Sequence, residues 1–201
     1  MSACDGEGWV YQARVRLVRK DCMHCDIERR AYQPEDFRSP VTLGQGISKR
    51  PAMDLIVQKA TELGLARLVP LSLARSVPRL RGEGTAASLD RWRRIAREAA
   101  QQCGRMGIPA IEEPRPLGAF LEEMAGQSLK VVFWEGERER SLKDVLAAAG
   151  AGGIALLVGP EGGLEEREVA SALDAGFAPV SLGERKLRTE TAALAALAIV
   201  Q

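Results

Sequence analysis

Ile154-Ala155-Leu156-Leu157-Val158-Gly159-Pro160-Glu161-Gly162-Gly163 is the stretch on which the fold reading turns. Its first five residues are all apolar and leave no polar face. That is the pattern of a strand covered on both sides, as in a parallel sheet flanked by helices. Glycine and proline then end the strand, and Glu165 to Ala175 reads as a helix with carboxylates in its first turn. In open α/β sheets ligands bind beyond the carboxyl ends of the strands, where glycines let backbone approach a ligand closely. The loop is neither the phosphate loop with Gly-Lys-Ser/Thr nor the GxGxxG dinucleotide fingerprint. Glu161, Glu165, Glu166 and Glu168 put negative charge where a phosphate would sit. A neutral or cationic ligand is therefore expected, although a plain tight turn would also use these glycines.

Working outward, strand and helix patterns alternate. Val41 to Ile47 reads as a strand, and Pro51 fits the first turn of a helix, where its missing N–H removes no bond. Met53, Ile56, Val57, Ala60 and Leu63 share one helical face, and Gly64 ends it. Leu65 to Leu71 is a strand. Ser88 is the expected cap of a helix that buries Trp92, Ile95, Ala96 and Ala99 and stops at Gly104. Leu129 to Trp134 is a strand, and Ser141 with Asp144 forms a capping box for the next helix. Pro179 to Leu182 is a short strand before a last helix, Glu190 to Gln201. The fold class is α/β, a mostly parallel sheet with helices on both faces. The last helix, Ala192 to Val200, has no polar face and must be buried in the core or against a second chain.

The 201 residues suffice for one α/β domain and a small extra module. The net charge of +1 decides nothing about nucleic acid. From Arg75 to Arg105, however, eight basic residues face three acidic ones, and from Glu135 to Asp174 four face nine. That asymmetry suits one face for a polyanion, or simply two solvated surfaces. Trp9 to Arg30 reads as one or two strands of a small β module carrying Arg14 and Arg16, and Gln33 to Pro40 as a linker. Cys22-Met23-His24-Cys25 is a single CxxC, short of the four ligands a zinc site needs, so no metal is expected. No apolar run approaches the ~20 residues that cross a bilayer. Met1 to Val10 lacks the features of a secretory signal, and a cytoplasmic location is expected.

A second loop, Leu182-Gly183-Glu184-Arg185-Lys186-Leu187-Arg188-Thr189-Glu190-Thr191, joins a strand to the last helix, with Thr189 as its expected cap. Together with Leu157 to Gly163 and Val180-Ser181-Leu182-Gly183, it closely resembles the 16S ribosomal RNA (uracil-N3)-methyltransferases of the SPOUT superfamily. Lys59-Ala60-Thr61-Glu62-Leu63-Gly64, Pro70 with Arg75-Ser76, Arg91-Trp92, Ala99 to Arg105 and Pro109 add to the resemblance, which runs from about Val41 to the C-terminus.

The resemblance implies a SPOUT methyltransferase domain over 41–201 with a C-terminal trefoil knot, S-adenosylmethionine as cofactor, 16S ribosomal RNA or the small ribosomal subunit as partner, and a homodimer. Carried over by motif, Gly159, Pro160, Glu161 and Gly162 line one side of the cofactor. Leu182, Gly183, Leu187, Arg188, Thr189 and Thr191 line the other. Residues 1–36 resemble only the second half of the PUA-like β-barrel that opens such enzymes, so its N-terminal part is expected to be missing. Uracil N3 must lose a weakly acidic proton, and its anion must be stabilised. His24, the single histidine, lies outside the matched region. Arg105 is expected to hold the uracil or its phosphate, with Arg188 or Arg75 nearby, and Glu190 to orient or accept a proton. Each arginine could equally be a phosphate clamp. Trp92 and Trp134 fit a core better than a base stack. Rival readings are a non-catalytic RNA-binding protein on a degenerate methyltransferase fold and a methyltransferase of another RNA such as transfer RNA. A nicotinamide-dependent oxidoreductase lacks its fingerprint.

Overall fold

A computed structural model describes residues 1–6, 8–33, 39–77, 82–147 and 150–201. The elements in chain order are β1 (Ser2–Cys4), β2 (Trp9–Val18), β3 (Met23–Tyr32), β4 (Val41–Gly46), α1 (Arg50–Glu62), β5 (Arg67–Ser72) and α2 (Glu83–Cys103). They continue with β6 (Ala110–Ile111), β7 (Arg115–Pro116), α3 (Leu117–Glu123), β8 (Leu129–Phe133), α4 (Leu142–Ala147), β9 (Ile154–Val158), α5 (Glu166–Asp174), β10 (Ala178–Val180) and α6 (Thr189–Val200).

The larger sheet has the order β10-β8-β9-β4-β5-β6, with β7 also on β5, and every pairing in it is parallel. All five residues of β9 and all six of β4 are buried, as expected of strands covered on both faces. One apolar layer joins Leu43, Leu156, Met53, Ile56, Trp92, Ala96 and Leu197, so α1, α2 and α6 cover that face. The other joins Ala155, Leu157, Phe120, Val169 and Phe177 under α3 and α5. Gly44 is what allows the second layer to close. A Cβ there would lie 2.5 Å from the Phe120 ring, which is fully buried.

The strand order reverses between β4 and β9. From β4 the chain moves one way, to β5 and β6, whereas from β9 it crosses to β10 beyond β8. Such a switch point opens a crevice at the carboxyl ends of its two strands. Here those ends are Gln45-Gly46 and Val158-Gly159.

Two helix starts differ from expectation. α2 begins at Glu83, five residues before Ser88, whose hydroxyl donates to the Gly84 carbonyl one turn back at 2.8 Å. A serine inside a helix commonly makes that bond instead of capping. α6 is preceded by Arg188 without a side-chain cap, because the Thr189 hydroxyl is engaged elsewhere. The capping box of Ser141 and Asp144 is formed, with the two reciprocal bonds 3.1 and 3.3 Å long. Gly104 ends α2 in the left-handed conformation. The short elements β6, β7 and α3 carried no sequence signal.

β1, β2 and β3 form a separate antiparallel sheet. Its register shifts between Gln12 and Ala13 and between Val15 and Leu17. All ten residues of β3 are exposed. Trp9 and Tyr32 meet at 5.1 Å, with the Arg30 guanidinium 5.3 Å above the Trp9 ring. The Ile108 N–H, donating to the Gly6 carbonyl at 3.4 Å, ties this sheet to the body. Most of the expected linker lies outside the described residues, at 34–38.

Candidate functional site

Three loops meet beyond the carboxyl ends of the strands: 134–141 after β8, 159–165 after β9 and 181–188 after β10. Gly46 sets how close the middle loop comes to β4. A Cβ on Gly46 would stand 2.5 Å from both the nitrogen and Cδ of Pro160. No side chain fits in that approach.

Across the switch point lies the Gln45 amide, fully buried. Its Nε2 donates to the carbonyls of Gly46 (2.9 Å) and Gly159 (3.3 Å) and to the Thr189 hydroxyl (2.9 Å). The Thr189 hydroxyl in turn donates to the Gly159 carbonyl at 2.6 Å. One cluster thus joins the end of β4, the β9–α5 loop and the start of α6. The amide oxygen, Gln45 Oε1, is buried and has no partner among the described residues. An acceptor left in that state costs about 1–3 kcal/mol.

The carboxylates of the middle loop are engaged by backbone. Glu161 accepts from the Lys49 N–H at the start of α1 (2.8 Å). Glu165 and Glu168 form a capping box on α5. Glu168, which is buried, also accepts from the Ala74 N–H at 2.9 Å. Arg75 donates to the Gly162 carbonyl at 2.9 Å. The β5–α2 connection is thereby fastened to the same loop. These carboxylates occupy the positive helix ends, as the sequence suggested, and leave no anion site there. Glu161 faces the α1 terminus.

The third loop hangs on the first. The Ser181 N–H donates to the Arg140 carbonyl at 2.9 Å, Ser141 and Ser181 form a parallel bridge, and Lys186 pairs with Glu135 at 3.0 Å. The N–H groups of Glu139 and Arg140 hold the Glu137 carboxyl below the usual carboxylate range.

Of the residues expected to line a ligand, Gly159, Pro160, Glu161, Gly162, Leu182, Gly183, Leu187, Arg188, Thr189 and Thr191 all belong to these loops or to the first turn of α6. Leu182 and Leu187 are half-buried, and Gly183, Arg188 and Thr191 exposed. Glu190 is 17% exposed, with its carboxylate 4.0 Å from the Arg188 guanidinium.

Arg105 is not brought here. Its guanidinium donates to the carbonyls of Thr61 (2.6 Å) and Leu65 (3.0 Å), at the far end of α1 and next to the amino end of β5. α1 is 13 residues long, about 20 Å, and starts beside Glu161, so Arg105 sits across the sheet from the loops. The basic stretch from Arg75 is also largely engaged. Arg91 pairs with Asp54 at 2.5 Å, Arg94 with Glu98 at 4.0 Å, and Arg93 donates to the Ile111 carbonyl, while Arg79 and Arg81 lie outside the described residues. Arg14 and Arg16 pair with Glu28 and Asp26 on the exposed hairpin. Trp92 is in the core, and Trp134 is half-buried against the second apolar layer. Cys22 Sγ meets His24 and Cys25 Sγ meets Met1, so the two thiols of the CxxC have different neighbours.

Gln45 escaped the sequence reading. The signal was there: with Val41 and Leu43 on one face of a buried strand, alternation puts the amide at position 45 on that same face.

Fold and loops define an α/β protein in which three loops gather at a glycine-lined switch point. Residues 35–201 match the model of the RNA methyltransferase domain, and the chain belongs to that family. It is 35% identical over 200 residues to a ribosomal RNA small subunit methyltransferase E of Mycobacterium bovis, covering 98% of this chain and 75% of that protein. The enzyme of the same name from Bacillus subtilis is 30% identical, with 98% and 79% covered. Among solved structures, a putative methyltransferase of Legionella pneumophila in complex with S-adenosylmethionine superposes with a TM-score of 0.92. It is 32% identical, with all of this chain and 81% of that one covered. A ribosomal RNA small subunit methyltransferase E of Neisseria gonorrhoeae bound to S-adenosylmethionine gives 0.89 at 33% identity, with the same coverage. Among the described residues no helix is long and apolar enough to cross a membrane.

Proposed function

We propose that the chain is an S-adenosylmethionine-dependent methyltransferase of small-subunit ribosomal RNA, acting on N3 of a uridine. The observation that carries the reading is the crevice between β4 and β9, closed by Gly159 on one side and Thr189 on the other, in a chain of the RNA methyltransferase domain family. The relatives found with S-adenosylmethionine support the cofactor. The residues present fit it. The loop carboxylates already occupy the helix ends, which opposes a phosphate-rich ligand and suits a neutral or cationic one.

When bound, S-adenosylmethionine supplies an electrophilic methyl group. Gly159 to Gly162 and Leu182 to Thr191 hold it from two sides. Glu190 orients or accepts the N3 proton, and the exposed Arg188 beside it steadies the uracil anion or an RNA phosphate. Within one chain Arg105 caps α1, so these steps are assigned to Arg188 and Glu190. Arg75 fastens the middle loop, and its exposed side chain is available to an RNA phosphate. Arg14 and Arg16 are in exposed ion pairs, worth about 0–1 kcal/mol and readily exchanged for phosphates. The same reading includes a PUA-like module over 1–36, a SPOUT domain over 41–201 with a trefoil knot, a homodimer built on the apolar α6, and action in the cytoplasm. The half-exposed Ile199 and Leu55 support a partner surface near α6 and α1.

Titration calorimetry with S-adenosylmethionine, and with NAD in parallel, tests the cofactor. Saturable binding of the first alone is expected, and binding of NAD alone overturns the reading. Transfer of labelled methyl to unmodified small-subunit RNA, with the product nucleoside identified by mass spectrometry, tests the position.

A further inference from the structure

We propose that Gln45 is a positioning residue whose buried amide holds the β9–α5 and β10–α6 loops in one fixed relation and so sets the width of the crevice. Gln45 reaches the site only at the Gly159 carbonyl and the Thr189 hydroxyl, one on each of the two loops. Its single nitrogen serves three acceptors that belong to three segments of the chain, 1, 114 and 144 residues away. Two of them, the Gly159 carbonyl and the Thr189 hydroxyl, also bond each other. The amide therefore turns a single contact between the loops into a triangle, which resists both sliding and opening.

The unpaired oxygen argues that this role is more than packing. A methionine fills nearly the same volume without an orphan acceptor, and the carbonyls it would abandon keep other donors, Ser48 on Gly46 and Thr189 on Gly159. A buried glutamine that is poor for packing and well placed for joining two loops fits an alignment role. The loop it holds has few anchors of its own. Between Gly183 and Arg188 most residues are exposed, and Lys186 reaches only an exposed Glu135. Without the triangle, the start of α6 is left with the direct Thr189 bond to Gly159.

The test is Gln45→Met, with Thr189→Val and Thr189→Ser as a second pair. Gln45→Met is expected to keep the far-UV circular dichroism and to melt within a few degrees of the wild type. Trypsin is expected to cut it faster at Arg185, Lys186 and Arg188, because the loop opens locally. Its affinity for S-adenosylmethionine is expected to fall about tenfold or more. Thr189→Val should likewise be cut faster, and Thr189→Ser, which keeps the hydroxyl, should be cut at the wild-type rate. The affinity measurement rests on the function proposed above, whereas the proteolysis does not. Wild-type protein that fails to bind S-adenosylmethionine sinks that function and leaves the trypsin result to decide the role of Gln45. If the wild type binds, a Gln45→Met protein that binds equally well and is cut no faster overturns the inference. Should Gln45→Met not fold, Thr189→Val cut at the wild-type rate overturns it instead.

Discussion

β9 and β3 are opposites. Every residue of β9 is buried between two layers of helices, and every residue of β3 is exposed. β9 has a strand on each side, whereas among the described residues β3 pairs only with β2. The difference separates two ways in which strands are held. In the body, side-chain burial on both faces holds the sheet, and main-chain bonds set its register. In the N-terminal sheet, main-chain bonds carry most of the structure, with exposed ion pairs and a Trp9–Tyr32 contact beside them. The crevice belongs to the first kind, where fixed geometry is available.

Substitutions can break or sharpen this contrast. Phe120→Ala removes a fully buried ring that packs against Gly44 and Phe177, and should lower the unfolding free energy by about 3–5 kcal/mol in urea titrations. A loss below about 1 kcal/mol, roughly what one buried methyl group contributes, would mean that the second layer is not what holds the sheet. Glu168→Ala leaves the N–H groups of Ala74 and Glu165 without their acceptor, and a loss of about 1–3 kcal/mol is expected in the same experiment. No change there would show that the β5–α2 connection is not fastened through α5. Ile27→Ala, in β3, should change stability by less than about 0.5 kcal/mol. A large effect at Ile27 would erase the contrast, since it would require a covered face on the N-terminal sheet.

The body was legible because its strands are short, continuous and apolar, and its helices carry one-sided patterns. Ile154 to Val158 and Val41 to Ile47 came out within a residue of β9 and β4. The crevice was legible through its glycines and through the resemblance of two loops to a known family. What sequence could not supply was the third partner of each polar group. Thr189 sits where a helix cap belongs, yet its hydroxyl goes to Gly159, 30 residues away. Arg105 follows a motif that suggested chemistry, yet it binds two carbonyls at the end of α1. Ser88 stands just ahead of the apolar pattern of Trp92, Ile95, Ala96 and Ala99, where a cap is expected, although the helix begins five residues earlier, at Glu83. Local pattern finds where an element runs. It does not say which distant backbone group a side chain will choose.

The triangle at Gln45 also has a bearing on how the protein comes into being. Thr189 leaves the ribosome 144 residues after Gln45. At roughly 5–20 residues per second that is an interval of about 7–30 s. Until α6 docks, β4 carries an amide with one of its acceptors still unmade, and the crevice has one wall. Contacts of such long sequence separation also form late in folding, because a large loop must close first. Competence for a ligand thus waits for α6 to be made, and a chain stalled before α6 would have most of its sheet and no site.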